Sequence, residues 1–115
     1  MAPIPKPPSR ASEKRDKKLA AERKKRDIYR LVSIRDGFKC RACGRRADPW
    51  AASMLEKLHH HEIRFRSLGG TFNDTDGVVS VCAECHSDIH GHRLVVIGHA
   101  DAVLTFEREG KVWHS

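Results

Sequence analysis

Two Cys-x-x-Cys pairs constrain the fold of this chain more than any other feature of its sequence. Cys40 and Cys43 form the first pair, Cys82 and Cys85 form the second, and 38 residues (44–81) separate them. Four thiolates brought together give the closed tetrahedral coordination of structural zinc. The chain has 115 residues, of which 39% are hydrophobic and 6% aromatic, so its core is thin and would gain from a metal cross-link. We therefore expect the two pairs to meet around one zinc ion.

Two other roles for the cysteines are less compatible with the sequence. Disulfides belong to secreted proteins, and the first ten residues, MAPIPKPPSR, have no apolar run that could act as a secretory signal. A dithiol redox pair needs a different fold context, and two pairs in one short chain argue against it. No stretch reaches membrane-spanning length, so we expect a cytoplasmic protein without membrane contact.

The excess positive charge is confined to the start of the chain. Residues 1–30 hold eleven Lys and Arg against four acids, whereas residues 31–115 hold eleven of each. A basic arm on a neutral domain is suited to a polyanion, with an affinity that falls as salt rises. We expect residues 1–27 to form this arm and residues 28–115 to form the domain; a solvated tail is the alternative. The arm residues expected to contact DNA are Lys17, Lys18, Arg23, Lys24, Lys25 and Arg26.

The order of helix- and strand-forming segments predicts an α+β fold. The absence of Pro and Gly between Ala11 and Ile34 favours a helix. Its first half has few apolar residues, so we expect it to be helical only in part or only when bound. Asp36-Gly37 is expected to end the helix. Its second half should dock on the core through Ile28, Leu31, Val32 and Ile34. Strands are expected at 59–66 and 78–81, a two-turn helix at 84–90, and a short C-terminal meander at 94–97, 102–106 and 111–113.

Three histidines are placed so that they could hold a second metal ion. His86 and His90 lie four residues apart in the predicted helix, and such a pair projects from one helical face. His61, in the predicted strand 59–66, would supply a third imidazole. Three protein ligands leave open positions for water and phosphate, as in catalytic rather than structural sites. The remaining histidines have no clear partner and are expected at the surface: His59, His92, His99 and His114.

These motifs follow one another in a specific order. Cys40-x-x-Cys43 is followed by His61-Glu-Ile-Arg-Phe-Arg-Ser-Leu-Gly69-Gly70, and then by Val78-Val-Ser-Val-Cys82-Ala-Glu-Cys85-His86-x-x-x-His90. This pattern, within residues 28–97, resembles the zinc-knuckle branch of the HNH endonucleases and is similar to small phage and prophage HNH proteins. The resemblance implies a ββα-metal finger that hydrolyses DNA phosphodiesters and leaves 5′-phosphate and 3′-hydroxyl ends. It also implies that His61, His86 and His90 bind the catalytic ion.

The sequence departs from the family at two positions. The histidine that acts as general base in most members is replaced by Glu62, and the middle asparagine falls at Gly77. Side chains alternate along a strand, so His60, Glu62, Arg64 and Arg66 should face away from His61 and towards a substrate groove. We expect Glu62 to be the base, with His60 as the alternative, although a carboxylate of pKa about 4.3 is weaker than an imidazole near 6.5. Arg64 and Arg66 would grip phosphates.

The sequence therefore predicts a metal-dependent DNA endonuclease with a structural zinc. Its catalytic ion would be Mg²⁺, Mn²⁺, Ni²⁺ or Zn²⁺, and three imidazoles favour the transition metals. A bacterial or phage-infected cell is the expected setting, and a partner protein could direct the cutting. The alternative is a non-catalytic zinc module that binds nucleic acid or protein. Trp50 and Trp113 are expected to be packing residues rather than platforms on which bases stack. Phe38 and Phe65 are expected to belong to the core.

Overall fold

The computed structural model describes residues 10–63 and 75–115, which form two α-helices, one turn of 3₁₀ helix (Thr75–Gly77) and two small antiparallel sheets. The predicted α+β class is confirmed, and the elements follow the predicted order. Neither described helix combines the length and the apolar character needed to cross a membrane. In chain order the elements are α1 (Arg10–Arg35), β1 (His59–Glu62), β2 (Val78–Val81), α2 (Ala83–His90), β3 (Val95–Gly98), β4 (Leu104–Arg108) and β5 (Lys111–His114).

Strand β2 supports the rest of the domain. It pairs with β1 in an antiparallel hairpin whose register sets His61 opposite Val79 and Glu62 opposite Val78. All four residues of β2 are buried, because the strand has packing partners on both faces. Val78 faces α1, where it packs with Ile28 and Val32. Val79 and Val81 belong to the main core, which lies on the side of α2 and of the sheet formed by β3, β4 and β5.

The main core joins the cysteine pairs to the C-terminal meander. Strand β4 lies between β3 and β5 and contributes Phe106, which is fully buried. Trp113 of β5 stacks on Phe106 with ring centroids 5.7 Å apart, and its Nε1 donates to the Ala42 carbonyl at 2.8 Å. The predicted packing role of Trp113 is therefore confirmed. The core residues are Cys40, Ala42, Val79, Val81, Cys82, Cys85, Leu94, Ala100, Leu104 and Phe106.

A buried carboxylate fixes the end of α1. The Asp36 side chain is 1% exposed and accepts hydrogen bonds from Arg35 Nε (2.8 Å), Arg41 Nη1 (3.0 Å) and the backbone N–H of Ser80 (2.9 Å). The helix stops at Arg35 and Gly37 takes the left-handed conformation (φ 66°), as the Asp36-Gly37 sequence predicted. Asp36 thereby ties the helix to the first cysteine pair and to β2.

Three expectations about packing and helix formation are wrong. The first half of α1 is fully helical, although none of its residues before Ile28 is buried, because Lys, Arg, Glu and Ala favour helix intrinsically. Leu31 and Ile34 are 56% and 55% exposed, since they lie on the sides of the helix away from Val32. Phe38, at 37% exposure, lies outside the core. Phe65 lies outside the described residues.

Candidate metal centres

The four cysteines converge at the edge of the main core, with Cys40, Cys82 and Cys85 buried and Cys43 exposed. Their sulfur atoms all lie within 4.8 Å of one another, and the Sγ atoms of Cys43 and Cys82 are 3.7 Å apart. Two thiolates on a tetrahedral zinc ion, each about 2.3 Å from the metal, lie about 3.8 Å apart. The thiols are not joined by disulfides. The predicted meeting of the two pairs is confirmed, and the cluster is compatible with a structural zinc site.

Local backbone structure positions both cysteine pairs. In the first pair, Cys40 N–H donates to the Arg45 carbonyl and Gly44 N–H donates to the Cys40 carbonyl, each at 2.8 Å. Gly44 closes this turn in the left-handed conformation (φ 79°), which explains why glycine follows Cys43. In the second pair, Cys82 is the N-cap of α2 and its sulfur accepts from the Cys85 N–H at 3.5 Å. A tight turn and a helix start therefore aim the thiols at one point.

The electrostatics of the cluster favour a thiolate at Cys40. The Cys85 thiol donates to the Cys40 sulfur, and with nearby backbone N–H groups this lowers the pKa of Cys40 to about 5. Thiolates are the form that binds metal. The guanidinium of Arg108 lies 3.7 Å from Cys85 Sγ and 2.9 Å from Asp88 Oδ2. Its positive charge offsets part of the negative charge that four thiolates leave on a zinc complex.

The structure also brings the three predicted histidine ligands together. One ring nitrogen from each of His61, His86 and His90 lies within 4.8 Å of the others. The ring centroid of His61 is 5.7 Å from that of each helical histidine, and the Nε2 atoms of His86 and His90 are 3.0 Å apart. Two nitrogens bound at about 2.1 Å and at right angles to one ion are also about 3.0 Å apart. The spacing of the His86 and His90 nitrogens is therefore compatible with binding to one metal ion.

The histidine cluster lies in a cleft of about 780 Å³, whose wall continues to Glu62, Ile89 and Val96. Burial, reinforced by the neighbouring histidines, lowers the pKa of His86 to about 4. Burial also lowers the pKa of His61. Both imidazoles are thus neutral at pH 7, which is the form that coordinates metal.

The opposite face of β1 packs against α1. The His60 ring stacks on Tyr29 with centroids 4.5 Å apart, and its Nε2 lies 2.7 Å from Ser33 Oγ. Burial lowers the pKa of His60 to about 4. The Tyr29 hydroxyl donates to Glu62 Oε1 at 3.0 Å. The predicted alternation of faces is correct. His60 packs against Tyr29 and Ser33 of α1 and also lines the edge of the cleft that contains His61.

The predicted DNA contacts divide into two groups. Arg64 and Arg66 lie outside the described residues. The arm residues all lie on α1 and are exposed: Lys17, Lys18, Arg23, Lys24, Lys25 and Arg26. Lys25 Nζ lies 5.6 Å from the centre of the Tyr29 ring, which connects the basic surface to the residues beside Glu62.

Four residues differ from the expectations based on sequence. His99 and His114 lie at the surface as expected but do not lack a partner, since His99 Nδ1 lies 2.6 Å from Asp76 Oδ2 and His114 Nδ1 lies 3.1 Å from Thr105 Oγ1. His59 was expected to lack a partner, but its Nδ1 lies 3.0 Å from His86 Nδ1 and its Nε2 lies 2.8 Å from the Met54 carbonyl oxygen. A signal was available, because His59 precedes His61 by two residues and so shares its face of β1. Trp50 is 73% exposed, with its ring centroid 6.2 Å from that of Phe38, so it is not a packing residue of the core.

Comparisons with protein-family models, with curated proteins and with solved structures gave no match for this chain. Cys40, Cys82 and Cys85 are buried in the core and Cys43 is exposed, whereas His61, His86 and His90 line a cleft that Glu62 also lines. Four cysteine donors are compatible with a structural zinc site, and the three histidines are a second group that could hold a metal ion.

Proposed function

We propose that this chain is an HNH-type endonuclease that hydrolyses DNA phosphodiester bonds with one divalent ion bound by His61, His86 and His90. The observation that carries the proposal is the convergence of these three imidazoles in a cleft, separate from the thiolate cluster. A purely structural zinc module has no need of a second donor set. The order of β1, β2 and α2, with one ligand on the first strand and two on the helix, supports a ββα-metal finger.

The proposed chemistry divides between the ion and the side chains. When bound, a divalent ion would polarise the scissile phosphate and stabilise the leaving 3′ oxygen. Glu62 would accept the proton of the attacking water, since its Oε1 is held by Tyr29 and its second oxygen remains for that role. His60 is the weaker candidate, because it is packed between Tyr29 and Ser33 and has a pKa of about 4.

Helix α1 is the proposed phosphate-binding surface. Lys18, Lys25 and Val32 are spaced by seven residues, close to two helical turns, so they lie on nearly the same side of α1. Val32 is fully buried against the domain, which means that the two lysines face the side on which the domain lies. DNA held along this side of the helix would meet Tyr29 and Glu62 where the helix joins the domain.

Plasmid nicking by the zinc-loaded full chain tests the proposal. We expect cutting with Mn²⁺ or Ni²⁺, loss of cutting in His86→Ala, and a reduction of about 10²-fold or more in Glu62→Gln. His114→Ala is the matched control, because His114 lies on β5, is exposed and is hydrogen-bonded only to Thr105 within the described part of the chain. Absence of cutting with Mg²⁺, Mn²⁺, Ni²⁺ and Zn²⁺, or full activity in His86→Ala, would contradict the catalytic assignment.

The second candidate function is a nucleic-acid-binding zinc module that does not cut. It is favoured by the hydrogen bond between Tyr29 and Glu62, which engages the carboxylate at the family's base position, and by Gly77 in place of the family's asparagine. Salt-dependent DNA binding by wild type and by His86→Ala, without cutting by either, would favour this function over the nuclease.

A further inference from the structure

We infer that His59 is a positioning residue that fixes the tautomer of His86 and thereby presents His86 Nε2 to the metal. This inference concerns the ligand arrangement of the proposed site and rests on the proposed metal binding there. It assigns a role to a histidine that is not itself one of the three converging ligands. The observation behind it is a continuous chain of short contacts from a backbone carbonyl to the ligand atoms.

The chain of contacts begins at Met54. Its carbonyl oxygen can only accept a hydrogen bond, and His59 Nε2 lies 2.8 Å from it, so the proton of a neutral His59 is on Nε2. The other ring nitrogen of His59, Nδ1, then carries a lone pair. His86 Nδ1 lies 3.0 Å from His59 Nδ1 and must be the donor. The proton of His86 is therefore on Nδ1.

The position of this proton determines the state of the other ring nitrogen of His86, Nε2. With its proton on Nδ1, His86 has a free lone pair on Nε2, the atom that lies 3.0 Å from His90 Nε2. The opposite tautomer would place a hydrogen where the ion must bind. A metal-binding histidine whose other nitrogen donates to a fixed partner is oriented and made more basic, and loss of such a partner costs about 10- to 100-fold in metal affinity.

The position of His59 in the fold explains how the contact is maintained. His59 starts β1 and pairs with Val81, the residue before the N-cap cysteine of α2. It therefore lies between the loop that holds Met54 and the helix that carries His86. The His59 and His86 rings meet edge to face with centroids 5.1 Å apart. Because β1 and α2 are both anchored to the buried strand β2, the two rings are held at this distance.

Two measurements on the zinc-loaded full chain test the inference. The first is nitrogen-15 NMR of the histidine rings before metal is added to the histidine site. We expect the Nδ1–H form at His86 in wild type and a shift towards the Nε2–H form in His59→Leu. The Nε2–H form at His86 in wild type would overturn the inference, whether or not the protein binds a second metal or cuts DNA.

The second measurement is calorimetric titration with Ni²⁺. We expect His59→Leu to weaken binding about 10- to 100-fold at unchanged stoichiometry. His59→Asn should restore most of the affinity, since its amide oxygen can accept from His86 Nδ1, and His114→Ala should match wild type. Unchanged affinity in His59→Leu, or loss of one bound ion, would overturn the positioning role. Failure of wild type to bind Ni²⁺ would refute the proposed metal site, and the NMR result would still decide the His86 tautomer.

Discussion

Replacement of Asp36 by asparagine should destabilise the domain because it removes one buried charge that two arginines share. The carboxylate is 1% exposed and accepts four hydrogen bonds, two from Arg35 and one each from Arg41 and the Ser80 backbone. The asparagine amide can still accept from Ser80, but it leaves the two guanidinium groups facing a neutral group. Breaking a buried ion pair on one side costs about 3–5 kcal/mol.

The expected magnitude for Asp36→Asn is at or just below the lower end of that range. Arg35 and Arg41 are 21% and 12% exposed, so water screens part of their charge. Each also donates to a backbone carbonyl at 2.6 Å, Arg35 to Val78 and Arg41 to Ala100, and these bonds remain. We therefore expect a loss of about 2–3 kcal/mol in the free energy of unfolding, or about 10 °C in Tm for a domain of this size.

Urea and thermal unfolding of the zinc-loaded protein measure this loss. Asp101→Asn is the matched control, since Asp101 pairs with the same Arg35 at 2.8 Å but is 43% exposed. An exposed pair contributes about 1 kcal/mol or less. The reasoning would be refuted if Asp36→Asn lost less than about 1 kcal/mol, or no more than Asp101→Asn, because burial would then not determine the strength of the network.

Two further predictions follow from the packing of β1 and from the exposed surface of α1. His60 has a pKa of about 4 in the folded protein against 6.5 as a free side chain, so below pH 6.5 the unfolded state binds the extra proton. In urea unfolding, the difference in the free energy of unfolding between wild type and His60→Gln should therefore be largest above pH 6.5 and shrink as the pH falls towards 4. A difference that does not change with pH would contradict this. Replacing Lys17, Lys18, Lys24 and Lys25 by Gln should weaken DNA binding and reduce the slope of log Kd against log salt by about 0.9 for each phosphate that is no longer neutralised, with unchanged helical circular dichroism. An unchanged slope would show that the arm does not bind phosphates.

Much of the architecture follows from local sequence signals. The Cys-x-x-Cys turns, the helix stop at Asp36-Gly37 and the four-residue spacing of His86 and His90 are properties of short segments. For that reason they could be predicted before any tertiary contact was known. The alternation of side chains along β1 likewise placed His61 on one face and His60 with Glu62 on the other.

The identity of the element that covers each face could not be predicted in the same way. Periodicity shows that His60 and Glu62 share a side of β1, but not that Tyr29 and Ser33 of α1 occupy that side. Nor does it show that Leu31 and Ile34 stay exposed while Val32 is buried. These outcomes depend on how α1 docks, which is fixed by Asp36 contacting residues 5 and 44 positions further along the chain.

The sequence therefore determined which side chains can act as metal ligands. The tertiary structure determined which other residues each of these side chains contacts. Thiol and imidazole spacings specify which side chains can share an ion, because that depends on turn and helix geometry. The role of His59 depends on a carbonyl in one loop and a ring on a helix 27 residues away. Only the packing of β1 and α2 around β2 brings those groups within hydrogen-bonding distance.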